Sequence, residues 1–281
     1  MTRCSFCGTV QAEYLPSTEE LQDFYSRQYL DDYKAGMDEK KFLKEMPLRH
    51  RAKLKLVSRL ANPQTLLDVG CGEGMFLDEA VKIGIDAIGC DYTLRSEYPS
   101  GVTVHAGKVD HRLPFPDCSF DVVTLWAVIE HVRNPAVAAS EIYRVLKPGG
   151  FTFWDTPLCG DWCELLVAGR SHWLAPPEHL HVFSQFSLRL LAREAGFVVI
   201  DQSPFFERNT GRWLARRLRN LAVGLGHGGA TKLIAPAVWE TKRQSCTTQI
   251  GDIQLLAAKK PTTDGRDRHE RSAHSCVVSQ L

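Results

Sequence analysis

The positions of apolar and polar residues follow two alternating patterns from Thr65 onward. Short runs of β-branched and other apolar residues indicate buried strands, and stretches of helical period lie between them. The predicted strands cover residues 65–70, 86–91, 102–107, 120–125, 150–155, 197–203 and 252–258. The predicted helices cover residues 39–60, 74–83, 134–146 and 185–195, with stop signals at residues 147–150 and at Gly196. This alternation predicts an α/β fold with a doubly wound, seven-stranded, mostly parallel sheet.

Four segments flank or interrupt this pattern. Residues 1–35 form an N-terminal extension to a main domain at 36–261. Long insertions at about 157–184 and 205–248 each follow a strand, where such segments commonly form lids or acceptor pockets, and we expect helical lids there. The polar, aperiodic stretch 262–281 predicts a disordered tail.

The amino-acid composition limits the classes of protein to which the chain can belong. Of 281 residues, 44% are hydrophobic and 24% charged, which excludes a chain that is disordered throughout. The net charge is only +1, so nothing in the composition requires nucleic acid or an acidic membrane as partner. No apolar run is long enough to span a bilayer, and the first residues lack a signal-peptide core. Nine cysteines, mostly single, suit a reducing compartment. We expect a cytoplasmic protein, and the sequence carries no signal for an oligomeric state.

A glycine-rich turn follows the first predicted strand. The segment Asp68-Val69-Gly70-Cys71-Gly72-Glu73-Gly74 opens a helix, and glycines there allow a tight turn and close approach of a ligand. Its spacing differs from the Gly-x-Gly-x-x-Gly pattern that cradles a pyrophosphate, which favours a nucleoside cofactor without phosphate. Asp91 ends the next strand, where a carboxylate can accept hydrogen bonds from both ribose hydroxyls.

The segment from Leu67 to Gly74 resembles the first motif of class I S-adenosylmethionine-dependent methyltransferases. Three later segments resemble motifs of the quinone-biosynthesis-like branch of that family in order and spacing: 113–123, 129–132 and 141–150. The resemblance covers about residues 65–260. It implies the Rossmann-like fold of this family, S-adenosylmethionine as cofactor and S-adenosylhomocysteine as product.

The resemblance also implies roles for single residues. The three glycines would border the methionine part of the cofactor, Asp68 would order its ammonium group, and Asp91 would hold the ribose. Asp110, one residue out of the family's register, and Leu113 would lie near the adenine, and Ala127 beside the sulfonium. The cofactor-binding residues expected in this way are Asp68, Gly70, Cys71, Gly72, Gly74, Asp91, Tyr92, Asp110, Leu113 and Ala127.

Methyl transfer from a sulfonium mainly requires alignment of the reacting atoms and exclusion of water. A hydroxyl acceptor must also lose its proton, and histidine is the natural general base at neutral pH. The candidates are His179 first, then His131 and His181, the first and last lying in a Pro-Glu-His-Leu-His segment. The alternative that these histidines only make structural hydrogen bonds remains open.

A metal-dependent site is a second open alternative. Some relatives that methylate catechol or ribose hydroxyls carry Glu-x-x-Glu-His on this segment and bind a divalent cation. Glu130, His131 and one of His179 or His181 would supply three ligands here. Ala127 replaces the first carboxylate, so we expect no metal.

Several features bear on the acceptor. Aromatic residues cluster around the strand ends and the first insertion and predict an aromatic-lined acceptor cavity: Trp126, Trp154, Trp162, Trp173 and Phe183. Residues 212–221 are predicted to form a basic amphipathic helix. We interpret it as a lid with a solvated basic face, or as a surface for an anionic acceptor or a membrane.

The N-terminal extension carries a possible metal motif, because Cys4 and Cys7 have the spacing of half a zinc knuckle.

The sequence therefore predicts a methyltransferase acting on a small molecule, at oxygen, in a biosynthetic pathway. The alternatives are an RNA ribose methyltransferase and a non-catalytic cofactor-binding subunit. Base methylation of DNA is disfavoured because its motifs are missing from the segment after the fourth strand, and the two insertions favour a small molecule over nucleic acid. An oxidoreductase is disfavoured because the sequence lacks a second phosphate-binding glycine turn.

Overall fold

The computed structural model describes residues 2–25, 39–158, 178–204 and 253–262. The strands are β1 (Thr2–Arg3), β2 (Val10–Gln11), β3 (Thr65–Val69), β4 (Asp86–Asp91), β5 (Thr103–Ala106), β6 (Phe120–Trp126), β7 (Leu146–Pro157), β8 (His181–Val182), β9 (Val198–Pro204) and β10 (Ile253–Lys259). The helices are α1 (Thr18–Asp23), α2 (Glu39–Leu60), α3 (Met75–Lys82), α4 (Pro135–Val145) and α5 (Gln185–Glu194).

The main sheet has seven strands in the order β5-β4-β3-β6-β7-β10-β9. Strands β3 to β7 pair in parallel, and β10 runs antiparallel between β7 and β9. The predicted seven-stranded, mostly parallel sheet is confirmed. The strand order reverses at β3, which lies between β4 and β6, and ligands of doubly wound sheets bind at the carboxyl ends of strands at such a reversal.

Buried side chains cover both faces of this sheet. One cluster packs α4 and α5 on it and includes Trp154, and the other packs α2 and α3 on it and includes Val57, Leu66 and Phe76. The apolar runs that predicted the strands therefore lie between two helical layers, as expected for parallel strands.

Local sequence signals explain where several helices begin. The Asn134 side chain accepts from the Val137 N–H, with Pro135 in the first turn of α4. Ser184 and Ser187 cap each other at the start of α5. The hydroxyl of Ser184 also donates to the carbonyl of Cys7 at 2.5 Å, which ties the helix to the N-terminal extension.

The N-terminal extension pairs with the segment that follows the first insertion. Strands β1, β2 and β8 form a small antiparallel sheet. The N–H of Ala12 donates to the carbonyl of Leu180 at 2.8 Å, and Phe6 packs edge-on against Phe186. The extension is thereby held against the segment that carries His179 and His181.

The helix stop predicted at residues 147–150 agrees with the end of α4 at Val145, but the strand predicted to begin at residue 150 begins earlier. Strand β7 starts at Leu146, which pairs with Phe120. The pairing register shifts between Phe120 and Val122, and Gly149 adopts a φ of 82°. Residues 147–150 therefore belong to β7 as an irregular part of the strand, because the backbone of Gly149 and Gly150 also pairs with Lys260.

Several expectations lie outside the described residues. These are most of the insertion at 157–184, all of the insertion at 205–248 with the basic helix at 212–221, and nearly all of the tail at 262–281. Among the residues that are described, no helix combines the length and the apolar character needed to cross a membrane.

Candidate functional site

The glycine-rich turn after β3 leaves one side of the backbone open. Gly70, Gly72 and Gly74 have φ angles of 71°, 54° and 75°, which glycine adopts without strain. A Cβ on Gly70 would lie 2.4 Å from Val128 Cγ2, whereas one on Gly72 would meet no atom of the described residues within 4 Å. Gly72 therefore faces space in which a ligand can approach the backbone.

Asp91, at the end of β4, is tied to this turn. Its Oδ2 accepts from the Gly72 N–H at 2.8 Å, and its Oδ1 accepts from the Thr93 N–H at 3.0 Å. Each carboxylate oxygen has a second lone pair, so both can also accept from ribose hydroxyls. Burial raises the pKa of Asp91, and hydroxyl donors from a ligand would favour its charged form.

Asp68, within β3, is the acid beside the turn. It is buried and accepts a hydrogen bond from the Thr124 hydroxyl at 2.6 Å. Burial raises its pKa to about 7. A cationic group bound nearby would lower that pKa and be stabilised by the carboxylate, which suits the ordering of an ammonium group.

Of the two residues predicted near the adenine, one lies at the cavity and the other in the core. Asp110 lines the cavity, and its Oδ2 accepts from the Arg133 N–H at 3.2 Å. Leu113 lies in the core, and its N–H donates to Glu141 Oε1 at 2.6 Å. A Cβ on Gly107 would lie 3.6 Å from Leu113 Cδ2, so the leucine packs beneath the backbone that lines the cavity.

One face of α2 forms a further wall of the cavity, with lining residues at helical spacing: Met46, Arg49, His50 and Lys53. Lys53 Nζ lies 2.8 Å from Asp155 Oδ2, and the two side chains are 12% and 5% exposed. The same ammonium lies 4.1 Å from the centre of the Trp126 ring. This buried ion pair therefore joins α2 to the end of β7.

His50 is a neutral group in this wall. Burial lowers its pKa to about 4, and its ring packs edge-on against Phe76 at 5.9 Å. Neither ring nitrogen has a hydrogen-bond partner within the described part of the chain. His50 can accept or donate one hydrogen bond to a ligand in the cavity.

Ala127 occupies a strained turn directly after β6. Its φ is 55°, unusual for a residue with a side chain. Its N–H donates to the Asp155 side chain at 2.5 Å and to the Asp155 carbonyl at 3.1 Å. The acid that pairs with Lys53 thus also holds the turn that leads to Glu130 and His131.

His131 has a defined tautomer. Its Nδ1 lies 2.6 Å from the carbonyl oxygen of Glu178, and because a carbonyl only accepts, Nδ1 carries the proton. Burial, with a contribution from His179, lowers the pKa of His131 to about 3. The ring is therefore neutral, and its Nε2 presents a lone pair. The Tyr25 hydroxyl donates to the same carbonyl at 3.3 Å.

His179 and His181 lie close to this site but in different surroundings. The rings of His179 and His131 are 4.8 Å apart, centre to centre. His181 lies in β8 and stacks on Phe183, and burial lowers its pKa. The structure therefore brings His179 to His131 and places His181 in the small sheet.

These elements enclose a cavity of about 540 Å³ at the carboxyl ends of β3, β4 and β6. The predicted site residues that line it are Asp68, Gly70, Cys71, Gly72, Asp91, Tyr92, Asp110, Ala127 and His131. The predicted residues that lie outside its lining, as formed by the described residues, are Gly74, Leu113, His179 and His181.

The sequence analysis missed two parts of the cavity wall. Thr18, Leu21 and Tyr25 of the N-terminal extension line it, as does the face of α2. The helical spacing from Met46 to Lys53 could have identified α2 as a candidate wall. No local pattern signals the extension, because its position depends on pairing with β8.

The aromatic residues predicted to surround an acceptor separate into two groups. Trp126 lines the cavity, whereas Trp154 and Phe183 are buried in the core. Trp162 and Trp173 lie outside the described residues. Core packing therefore accounts for at least two of the five.

Cys4 and Cys7 are free thiols on the predicted knuckle. Backbone N–H groups of Cys7 and Phe6 lower the pKa of Cys4. Within residues 2–25, 39–158, 178–204 and 253–262, no third metal-binding side chain joins this pair.

Comparison with known proteins decides the family. A family model described as a methyltransferase domain matches residues 42–202, which span the glycine turn, Asp91 and the histidine at the cavity wall. The chain belongs to this methyltransferase family. It is 36% identical over 234 residues to a probable S-adenosylmethionine-dependent methyltransferase of Mycolicibacterium smegmatis, covering 78% of this chain and 85% of that protein.

Two further likenesses are to proteins with named activities. It is 31% identical over 147 residues to a ubiquinone biosynthesis O-methyltransferase of Thiobacillus denitrificans, covering 47% of this chain and 63% of that protein. Its structure is similar to that of 1,6-didemethyltoxoflavin-N1-methyltransferase from Burkholderia thailandensis, with a TM-score of 0.55 at 14% identity over 93% and 98% of the two chains. The second likeness concerns the fold alone.

The methyltransferase uses S-adenosylmethionine, and the residues present suit that cofactor. The open side of Gly72, the buried acid Asp68 and the strand-end acid Asp91 meet at one cavity. When bound, the cofactor supplies an electrophilic methyl group on a sulfonium.

Proposed function

We propose that this methyltransferase transfers a methyl group to a hydroxyl oxygen of a small-molecule acceptor in a biosynthetic pathway. The observation that carries the proposal is the position of His131. Its imidazole lines the same cavity as the cofactor-binding turn, and its Nδ1–H is committed to the Glu178 carbonyl. The imidazole that can contact an acceptor hydroxyl and the groups that hold the methyl donor therefore line the same cavity.

The size of the cavity favours a small acceptor. Residues of α2, together with Leu21 and Tyr25 of the extension, line it, and its volume of about 540 Å³ is in the range of small-molecule sites. A ubiquinone biosynthesis O-methyltransferase among the relatives supports oxygen as the acceptor atom.

The residues around the cavity have separate roles in the reaction. Asp91 and the Gly72 backbone hold the nucleoside, Asp68 orders the ammonium group, and the Ala127 turn forms the wall beside Glu130 and His131. Phe76 and Trp126, packed edge-on at 5.3 Å, supply apolar parts of the cavity wall. An acceptor hydroxyl is activated at the cluster formed by Glu130, His131 and His179.

The test uses methyl-labelled S-adenosylmethionine and pairs of acceptors that differ in one atom, such as a catechol and the matching aminophenol. We expect label on oxygen, with the amine unmethylated. Label on nitrogen, or label found only in added RNA, would overturn the proposal.

A pair of variants then tests the cluster. His131→Ala should lower kcat by about 100-fold or more while the affinity for S-adenosylhomocysteine stays within a few fold. His105→Ala, an exposed histidine on β5, is the matched control and should retain wild-type turnover. Equal losses in both variants would refute a role for the cluster.

A further inference from the structure

Glu130 is a buried acid whose side chain has no hydrogen-bond partner among the described residues. The residue is 0% exposed, and this lack of a partner holds for both carboxylate oxygens. Buried carboxylates are normally paired, hydrogen-bonded or bound to a metal, because leaving one unpaired is costly. Glu130 therefore requires an explanation that the fold alone does not supply.

Two histidines converge on this acid. One ligand atom from each of Glu130, His131 and His179 lies within 4.8 Å of the others. His131 Nε2 lies 3.8 Å from Glu130 Oε1, too far for a hydrogen bond. Ligands bound tetrahedrally at about 2.0–2.2 Å are about 3.4 Å apart, so small side-chain rotations would bring the three groups onto one ion.

The backbone holds the cluster in place. The carbonyl of Glu130 accepts from the N–H groups of Leu180 and His181 at 2.9 and 3.0 Å, which fixes the segment carrying His179 against Glu130. The Glu178 carbonyl orients His131 through Nδ1 and leaves Nε2 as the coordinating atom. Carbonyl partners of this kind set the tautomer of metal-binding histidines.

The local charge and the donor types point to the class of ion. Asp155 and Glu178 lie near enough to add negative potential at Glu130, which favours a cation. Two imidazole nitrogens and one carboxylate suit zinc and neighbouring transition-metal ions, whereas magnesium and calcium prefer oxygen ligands alone.

We infer that Glu130, His131 and His179 bind a divalent transition-metal ion of the zinc type beside the cofactor cavity. This departs from the expectation of a metal-free site, which rested on the missing carboxylate at Ala127, because two imidazoles and one carboxylate are a sufficient ligand set for an ion of the zinc type. His131 lines the cavity, which places the proposed site at the cavity wall.

The role of the ion rests on the proposed function. The ion would lower the pKa of an acceptor hydroxyl bound to it, and the hydroxyl proton would pass to solvent. The acceptor oxygen would then form a C–O bond to the transferred methyl as the C–S bond breaks, with the electron pair of the C–S bond remaining on sulfur. The two histidines act as ligands in this arrangement, and neither takes up the proton.

The experiment is a titration of chelator-treated full-length protein with Co²⁺, followed by visible absorption. We expect one equivalent to bind without a thiolate charge-transfer band, to be displaced by Zn²⁺ and to be unaffected by excess Mg²⁺. The same spectrum is expected in the variant Cys4→Ser/Cys7→Ser, which removes the other cluster of metal-binding groups.

Variants of the ligands make the assignment specific. Glu130→Gln and His179→Ala should each weaken Co²⁺ binding by about 100-fold or more, and His105→Ala should leave it unchanged. Glu130→Gln should also raise the Tm of the metal-free protein, because it removes an unpaired buried acid, and abolish the rise in Tm caused by Zn²⁺.

Three results would overturn the inference: no binding of Co²⁺ or Zn²⁺, binding that survives both ligand variants, or binding lost only in the cysteine variant. Oxygen methylation at the wild-type rate by metal-free protein would refute the role of the ion and leave the proposed function intact. Metal binding without oxygen methylation would refute the proposed function and leave the site intact.

Discussion

The ion pair between Lys53 and Asp155 should be one of the costliest contacts in the protein to break. Lys53 Nζ and Asp155 Oδ2 are 2.8 Å apart, with only 12% and 5% of the side chains exposed. Lys53→Met keeps most of the aliphatic packing but leaves a buried carboxylate with only the Ala127 N–H to satisfy it. Loss of one partner of such a pair costs about 3–5 kcal/mol in the free energy of unfolding.

The same helix supplies the control. Arg51 pairs with Glu79 at 2.5 Å, but its side chain is 62% exposed and Glu79 keeps Lys82 at 3.3 Å. Arg51→Met should therefore cost about 1 kcal/mol or less. Urea unfolding of the two variants and the wild type, with m-values compared, measures the difference.

A double variant completes the test. Lys53→Met/Asp155→Asn removes both charges and should be more stable than Lys53→Met alone, since no unpaired charge remains. Asp155→Asn alone is measured alongside. A cost for Lys53→Met that matches Arg51→Met, or a double variant whose cost equals the summed costs of Lys53→Met and Asp155→Asn, would refute the view that this pair is buried and coupled.

Three further predictions concern the cofactor side. Asp91→Ala should weaken binding of S-adenosylhomocysteine by about 1–3 kcal/mol in calorimetry, and an unchanged affinity would remove it as the ribose partner. Gly70→Ala should lower the Tm more than Gly72→Ala, because only the first Cβ meets Val128, at 2.4 Å; equal changes would contradict this. Asp68 has a pKa raised to about 7 by burial, with Lys53 and the acids Asp155 and Asp91 nearby, so the folded state holds a proton that the unfolded chain loses above about pH 4. The stability that this group contributes falls as pH rises from about 4 to 7, so Asp68→Asn should gain stability relative to the wild type over that range in urea unfolding. A difference between the two proteins that stays constant from about pH 4 to 7 would contradict the shift.

The local pattern of apolar residues was sufficient to predict most strands of the main sheet. The predicted strands at 65–70 and 86–91 correspond to Thr65–Val69 and Asp86–Asp91, because buried parallel strands require unbroken apolar runs. The start of α5 after Ser184 likewise follows from a cap that acts within four residues.

The site could not be predicted in the same way, because it is built from contacts between distant segments that the local sequence pattern does not encode. Tyr25 reaches His131 only because the extension pairs with β8, and Lys53 meets Asp155 only because α2 packs across the sheet. Trp154 and Trp126 were both predicted to line the acceptor cavity, yet Trp154 lies in the core and Trp126 lines the cavity. Which face of a strand or helix becomes a wall is decided by tertiary packing.

The most direct measurement is calorimetric titration of the full-length protein with S-adenosylhomocysteine, with NADH as a parallel ligand and circular dichroism to verify folding. The account predicts a single site with micromolar affinity or tighter for S-adenosylhomocysteine and no heat with NADH. A folded sample that gives no heat with S-adenosylhomocysteine would contradict the assignment of the glycine turn and its acids as the cofactor site.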